Sequence, residues 1–163
     1  MSETTKTLNK INFLVQHTGS SQLSFFLINE LNKMGKTNPE IDAIVYCENK
    51  HRNCVPANFA VMDLSDAWVN KGPVIATTLS TARKMISFPS ERKLFYVWDI
   101  EWIRNNHMNT LRYEEYENVY GDNSIELIAR SESHKKIIEN TFNRSVSHIV
   151  SDFDVSEILE ILK

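Results

Sequence analysis

The chain has 163 residues, 42% of them hydrophobic and 24% charged, with 18 basic and 21 acidic side chains and a formal net charge of -3. That balance is ordinary for a globular protein and offers no global positive field to DNA, RNA or an anionic membrane, so nucleic acid is disfavoured as a partner. No apolar run approaches the ~20 residues of a membrane helix, and the polar N-terminus lacks a signal-peptide core, so the expected compartment is the cytoplasm, a host's cytoplasm if the protein is viral.

Residues 1–9 read as a flexible tail and residues 10–163 as one domain. Residues 11–16 form a first apolar strand, followed by the turn His17-Thr18-Gly19-Ser20-Ser21. Leu23, Phe26, Leu27, Leu31 and Met34 then fall on one face of a helix, with Ser20 or Ser21 as N-cap and Gly35 as the stop. A second strand covers 41–47, and a polar loop with Pro56 covers 48–58. A short strand at 59–62 and a short helix at 64–68 lead to the break at Gly72-Pro73. A fourth strand spans 74–77, and Thr78, Ser80 or Thr81 caps a helix that reaches Phe88, before Pro89.

Residues 93–102 are the centre of the pattern. Leu94 to Trp98 are uninterrupted apolar and aromatic residues, the composition of a strand buried on both faces of a parallel sheet. Asp99 and Glu101 follow where the apolar run stops. Residues 102–121 mix aromatics with carboxylates and suggest irregular or short helical structure. A sixth strand is expected at 125–129, a helix capped by Ser131 at 132–142, an edge-like strand at 146–150 and a last helix at 155–162. Strands alternating with helices call for an α/β fold: a doubly wound, mostly parallel sheet with helices on both faces.

Four segments carry a resemblance. They are Val15-Gln16-His17-Thr18-Gly19-Ser20-Ser21, Leu94-Phe95-Tyr96-Val97-Trp98-Asp99-Ile100-Glu101, Leu127-Ile128-Ala129-Arg130-Ser131-Glu132-Ser133-His134 and the run from Val146 to Asp154. Together they resemble the N-terminal Rossmann-like half of a GT-B glycosyltransferase. The family usually ends the last of these strands in Asn-Gly-Val-Asp, where this chain has Ser151-Asp152 followed by Phe153-Asp154. The resemblance implies an acceptor-side domain that takes part in sugar transfer from a nucleotide sugar. It also implies that a second Rossmann domain or subunit, or a homo-oligomer, supplies the rest. No tightly bound cofactor is expected; the nucleotide sugar enters as donor substrate, and the acceptor is a sugar or another hydroxyl compound.

In parallel α/β sheets ligands gather at the carboxyl ends of the strands, which picks out the candidate site residues. His17 ends the first strand, and an imidazole suits proton abstraction near neutral pH; the resemblance implies the same role, since several inverting members keep a general base there. Asp99 has three readings: a base itself, an orienting partner of His17, or a helix cap. Glu101 stands beside it. Gly19 and Ser20 can present backbone amides to an anion at a helix N-terminus, although neither the G-x-G-x-x-G nor the Walker spacing is present. Thr77 and Thr78 can donate to sugar hydroxyls or simply cap. Arg130 and Ser131, after the sixth strand, would face the same crevice, the arginine toward a phosphate or carboxylate. Cys47, His51 and Cys54 lack the paired C-x-x-C spacing of a zinc site. A non-catalytic binding or scaffold module on the same sheet is the alternative.

Overall fold

A computed structural model describes residues 9–104 and 110–163; the expected tail up to residue 8, and residues 105–109, lie outside the described residues. Seven strands form one sheet: β1 (Lys10–Val15), β2 (Asp42–Cys47), β3 (Ala60–Asp63), β4 (Val74–Ala76), β5 (Lys93–Val97), β6 (Ile125–Ala129) and β7 (His148–Ile149). Their order is β3-β2-β1-β4-β5-β6-β7, and every neighbouring pair is parallel. Among the described residues six α-helices accompany them: α1 (Gln22–Thr37), α2 (Leu79–Met85), α3 (Glu101–Arg104), α4 (Thr110–Tyr120), α5 (Glu132–Phe142) and α6 (Val155–Leu162). The α/β, Rossmann-like sheet expected from the alternating pattern is therefore present, and it is parallel throughout.

Strand pleating divides the apolar residues between two cores. Ile11, Phe13 and Val15 of β1, with Leu94 and Tyr96 of β5, point to the face covered by α1 and α6. Leu14, Phe95 and Val97 point to the opposite face, covered by α2, α4 and α5. This double burial explains why β5 reads as a continuous apolar run rather than an alternating one.

Helix starts follow the side chains that cap them. Ser21, not Ser20, caps α1, accepting from Ser24 N at 3.0 Å. Thr78 and Thr81 form a reciprocal capping box on α2, which ends at Met85 rather than at Phe88. Ser131 caps α5 and Asp154 caps α6. Gly35 does not stop α1: the helix runs on to Thr37, and Asn38 N closes it on Met34 O at 2.7 Å. The seventh strand is shorter than expected: Val146 N is taken by the Glu139 carboxylate, and the register pairs with β6 are His148 and Ile149, flanked by bonds from Ser147 N to Leu127 O and from Val150 N to Ala129 O.

After β7 the chain makes a tight turn with two consecutive left-handed residues, Asp152 at φ 47° and Phe153 at φ 62°. Such backbone is costly for residues other than glycine and persists only when the surroundings fix it. Here the Tyr96 hydroxyl fixes it. It donates to Val150 O at 2.7 Å and accepts from Phe153 N at 3.1 Å. The Phe153 ring meanwhile packs 4.6 Å from the Tyr96 ring and 5.5 Å from that of Phe13. Burial pushes the Tyr96 phenol up to about 12, which keeps the donating proton in place.

Two outcomes check this account. Gly35 is exposed, has no left-handed φ, and a Cβ built on it meets nothing within 4 Å. Gly35→Ala is expected to raise the unfolding free energy by about 0.5–1 kcal/mol in a urea titration, chiefly by restricting the unfolded chain. Tyr96→Phe leaves the Phe153 N–H and the Val150 carbonyl without their shared partner, and is expected to lower it by about 1–3 kcal/mol in the same titration.

Candidate functional site

Strands β1, β2 and β3 succeed one another toward one edge of the sheet, and β4 to β7 toward the other. The chain thus reverses direction between β1 and β4, the place where open parallel sheets leave a crevice outside their carboxyl ends. A cleft of about 460 Å³ lies there. From the end of β1 come Gln16 and His17, and from the start of α1 Ser21, Gln22 and Leu23. Thr77, Thr78 and Ser80 follow β4, while Trp98, Asp99 and Glu101 follow β5. Among these described lining residues there are two carboxylates, an imidazole, hydroxyls and two side-chain amides, but no lysine or arginine.

His17, Thr78, Asp99 and Glu101 of the sequence-derived set therefore meet in one cleft. Gly19, Ser20, Arg130 and Ser131 do not line it, although all sit at the same rim of the sheet. Gly19 is buried in the turn, where a Cβ would stand 3.2 Å from His51 Cβ. Its N–H donates to His17 Nδ1 at 3.1 Å. Ser20 is exposed. Arg130 lies behind Trp98: its guanidinium carbon is 3.7 Å from the indole centroid, and Nη1 donates to Trp98 O at 3.3 Å. Its remaining charge looks toward Asp152, at 3.7 Å. Ser131 is spent on the helix, accepting from His134 N at 3.2 Å.

The Gly19 bond decides what His17 presents. A ring nitrogen that accepts carries no hydrogen, so in the neutral imidazole the proton sits on Nε2. His17 then offers the cleft a donor rather than a basic lone pair. The ring is held edge-to-face against His51, with centroids 5.1 Å apart. The loop carrying His51 is tied to the same turn, because Cys54 N donates to Thr18 O at 2.9 Å and the Thr18 hydroxyl to Asn53 Oδ1 at 2.6 Å.

The walls are rigid. The Thr77 hydroxyl donates to Leu14 O at 3.0 Å across the β1–β4 junction. Trp98 is only 9% exposed, with Arg130 over its ring and Phe26 at 5.6 Å, so it contributes an apolar edge and not a stacking platform. Ser80 donates to Glu48 at 2.6 Å.

Reading from sequence missed Gln16, Gln22 and His134. Gln16 was findable, since it follows β1 directly and the rule that picked His17 applies to it. His134, in the first turn of α5, has a buried Nδ1 with no hydrogen-bond partner in the structure. Burial, and then the nearby Arg130 charge, lower its pKa, while Asp99 pulls the other way. No group of three or more His, Cys, Asp or Glu among the described residues is placed to hold a metal ion, and no described helix is long and apolar enough to cross a membrane.

No known protein family, no curated protein and no solved structure matches the chain.

The tautomer is directly measurable. In the neutral ring, long-range 1H–15N spectra are expected to show His17 Nδ1 unprotonated and Nε2 protonated. The opposite pattern would mean that the Gly19 amide is not bound there.

Proposed function

We propose that the chain is an acceptor-side domain for glycosyl transfer, its cleft holding an uncharged, hydroxyl-rich acceptor. The observation that carries this reading is the lining of the cleft at the β1–β4 junction. Hydroxyls, amides and carboxylates satisfy sugar hydroxyls in both directions, as acceptors and as donors. A diphosphate would want arginine, lysine or free helix amides. None of the described lining residues is a lysine or an arginine. The nucleotide sugar would accordingly be held by a second domain or subunit closing over the cleft.

In this reading the Asp99 carboxylate takes the proton of the acceptor hydroxyl. The acceptor oxygen attacks the anomeric carbon of the donor, and the nucleoside diphosphate departs with the electron pair of the broken C–O bond. His17 Nε2–H donates to an acceptor oxygen and fixes its direction. Glu101 accepts from a neighbouring hydroxyl, and the Gln16 and Gln22 side-chain amides bind others.

The test is a titration of neutral mono- and disaccharides against the corresponding sugar phosphates, followed by amide NMR. Neutral sugars are expected to shift the Gln16–Ser21 and Thr77–Ser80 amides, with the phosphates binding at least about fivefold more weakly. Shifts confined to other surfaces, or a preference for the phosphates, would end this reading. Where transfer is measurable with the donor-holding partner present, Asp99→Asn is expected to reduce it about 100-fold or more while acceptor affinity changes little.

One observation favours the alternative of a non-catalytic binding module: the Gly19 bond occupies the nitrogen that a histidine base would use. That module expects His17→Ala and Asp99→Ala to leave both ligand affinity and any activity unchanged.

A further inference from the structure

A second pocket, of about 350 Å³, lies outside the cleft, between α2 and the 3-10 turn Leu64–Val69 that follows β3. Its wall is Trp68, 51% exposed and braced by the buried Phe88 ring 5.1 Å away. An exposed indole costs solvation unless something covers it, and this one is held against a fixed neighbour instead of folding flat on the surface. Glu48 and Asp63 stand at the rim. The Glu48 side chain is buried and already satisfied by Lys84 at 2.8 Å and Ser80 at 2.6 Å. Asp63 is different. Its Oδ1 accepts from Ser65 N and Ser65 Oγ, bonds that hold its carboxyl below the usual aspartate range. Its Oδ2 faces only Lys50, 3.9 Å away on a highly exposed side chain.

The pocket therefore sets a half-exposed indole beside an ionised carboxylate whose described ion-pair contact, Lys50 at 3.9 Å, is beyond hydrogen-bond distance. Indole is the best aromatic surface for an organic cation, and a planar, weakly hydrated guanidinium stacks on it while donating to a carboxylate. Two lysines compete: Lys84, in the lining, is held by Glu48 on the α2 side, and Lys50 stands 3.9 Å from Asp63 Oδ2 on a highly exposed side chain that a stacked guanidinium would displace. We propose that this pocket binds the guanidinium of an arginine presented by a partner protein. The size suits it, since the volume is that of a small-ligand site and takes one side chain without rearrangement of the sheet.

Trp68 makes the test direct, because Trp98 and Trp102 are 9% and 6% exposed and the chain has three tryptophans. The full chain is titrated with acetyl-Gly-Arg-Gly-amide, the Lys and Gln versions of that peptide, and free arginine, reading tryptophan emission and calorimetric heat. The Arg peptide is expected to change emission saturably and to bind at least roughly fivefold tighter than the Gln peptide. Asp63→Asn, which keeps the oxygen that caps the 3-10 turn, is expected to weaken the Arg peptide about fivefold or more. Trp68→Leu, followed by calorimetry, is expected to do the same. An Arg-to-Gln ratio below fivefold, or wild-type affinity in both variants, overturns the proposal. Tighter binding of the Lys peptide overturns the guanidinium assignment. Free arginine binding as tightly as the peptide overturns the assignment to a protein partner.

Discussion

The fold depends on one constraint. A sheet whose strands all run the same way must have both faces covered, and it must put every carboxyl end at the same rim. The first requirement accounts for the two cores and for the unbroken apolar run of β5. The second brings His17, Thr78 and Asp99, far apart in sequence, to one place. Neither depends on any particular catalytic residue. The scaffold therefore explains where a site forms, while its chemistry rests on the side chains that happen to stand at the rim.

Those side chains are arranged with more restraint than a row of polar residues implies. Much of the hydrogen-bonding capacity near the cleft is spent internally: Ser21 on α1, Thr78 on α2, Ser131 on α5, and His17 Nδ1 on Gly19. The side chains that line the cleft beside these include an imidazole, two amides and two carboxylates. Arg130, at the same rim after β6, is turned onto Trp98 and toward Asp152. The electrostatic character of the cleft follows from that rotation as much as from the composition of its lining.

The strands and most helices were legible because their signals are local. Periodicity placed β6, α5 and α6 to the residue, and serine caps marked where helices begin. Gly35 misled because glycine as a helix stop presupposes a left-handed residue, and α1 had enough favourable packing through Leu31 and Met34 to carry a plain helical glycine. The site was half legible. Position after a strand found His17 and Asp99, but whether a side chain turns into the cleft depends on tertiary partners. Gly19 lies against His51 and Arg130 against an indole 32 residues away, neither of which is written in the local sequence. The bond that sets the His17 tautomer spans only two residues, but residue types alone do not say which ring nitrogen turns to the Gly19 amide.

Glu48 has a consequence beyond its own burial. It grips two successive turns of α2 at once, Ser80 on the side of the cleft and Lys84 on the side of the tryptophan-walled pocket. A single carboxylate at the tip of β2 thus works as a rivet through which two separate hollows share one short helix. A substitution at Glu48 would therefore disturb a wall of both hollows at once.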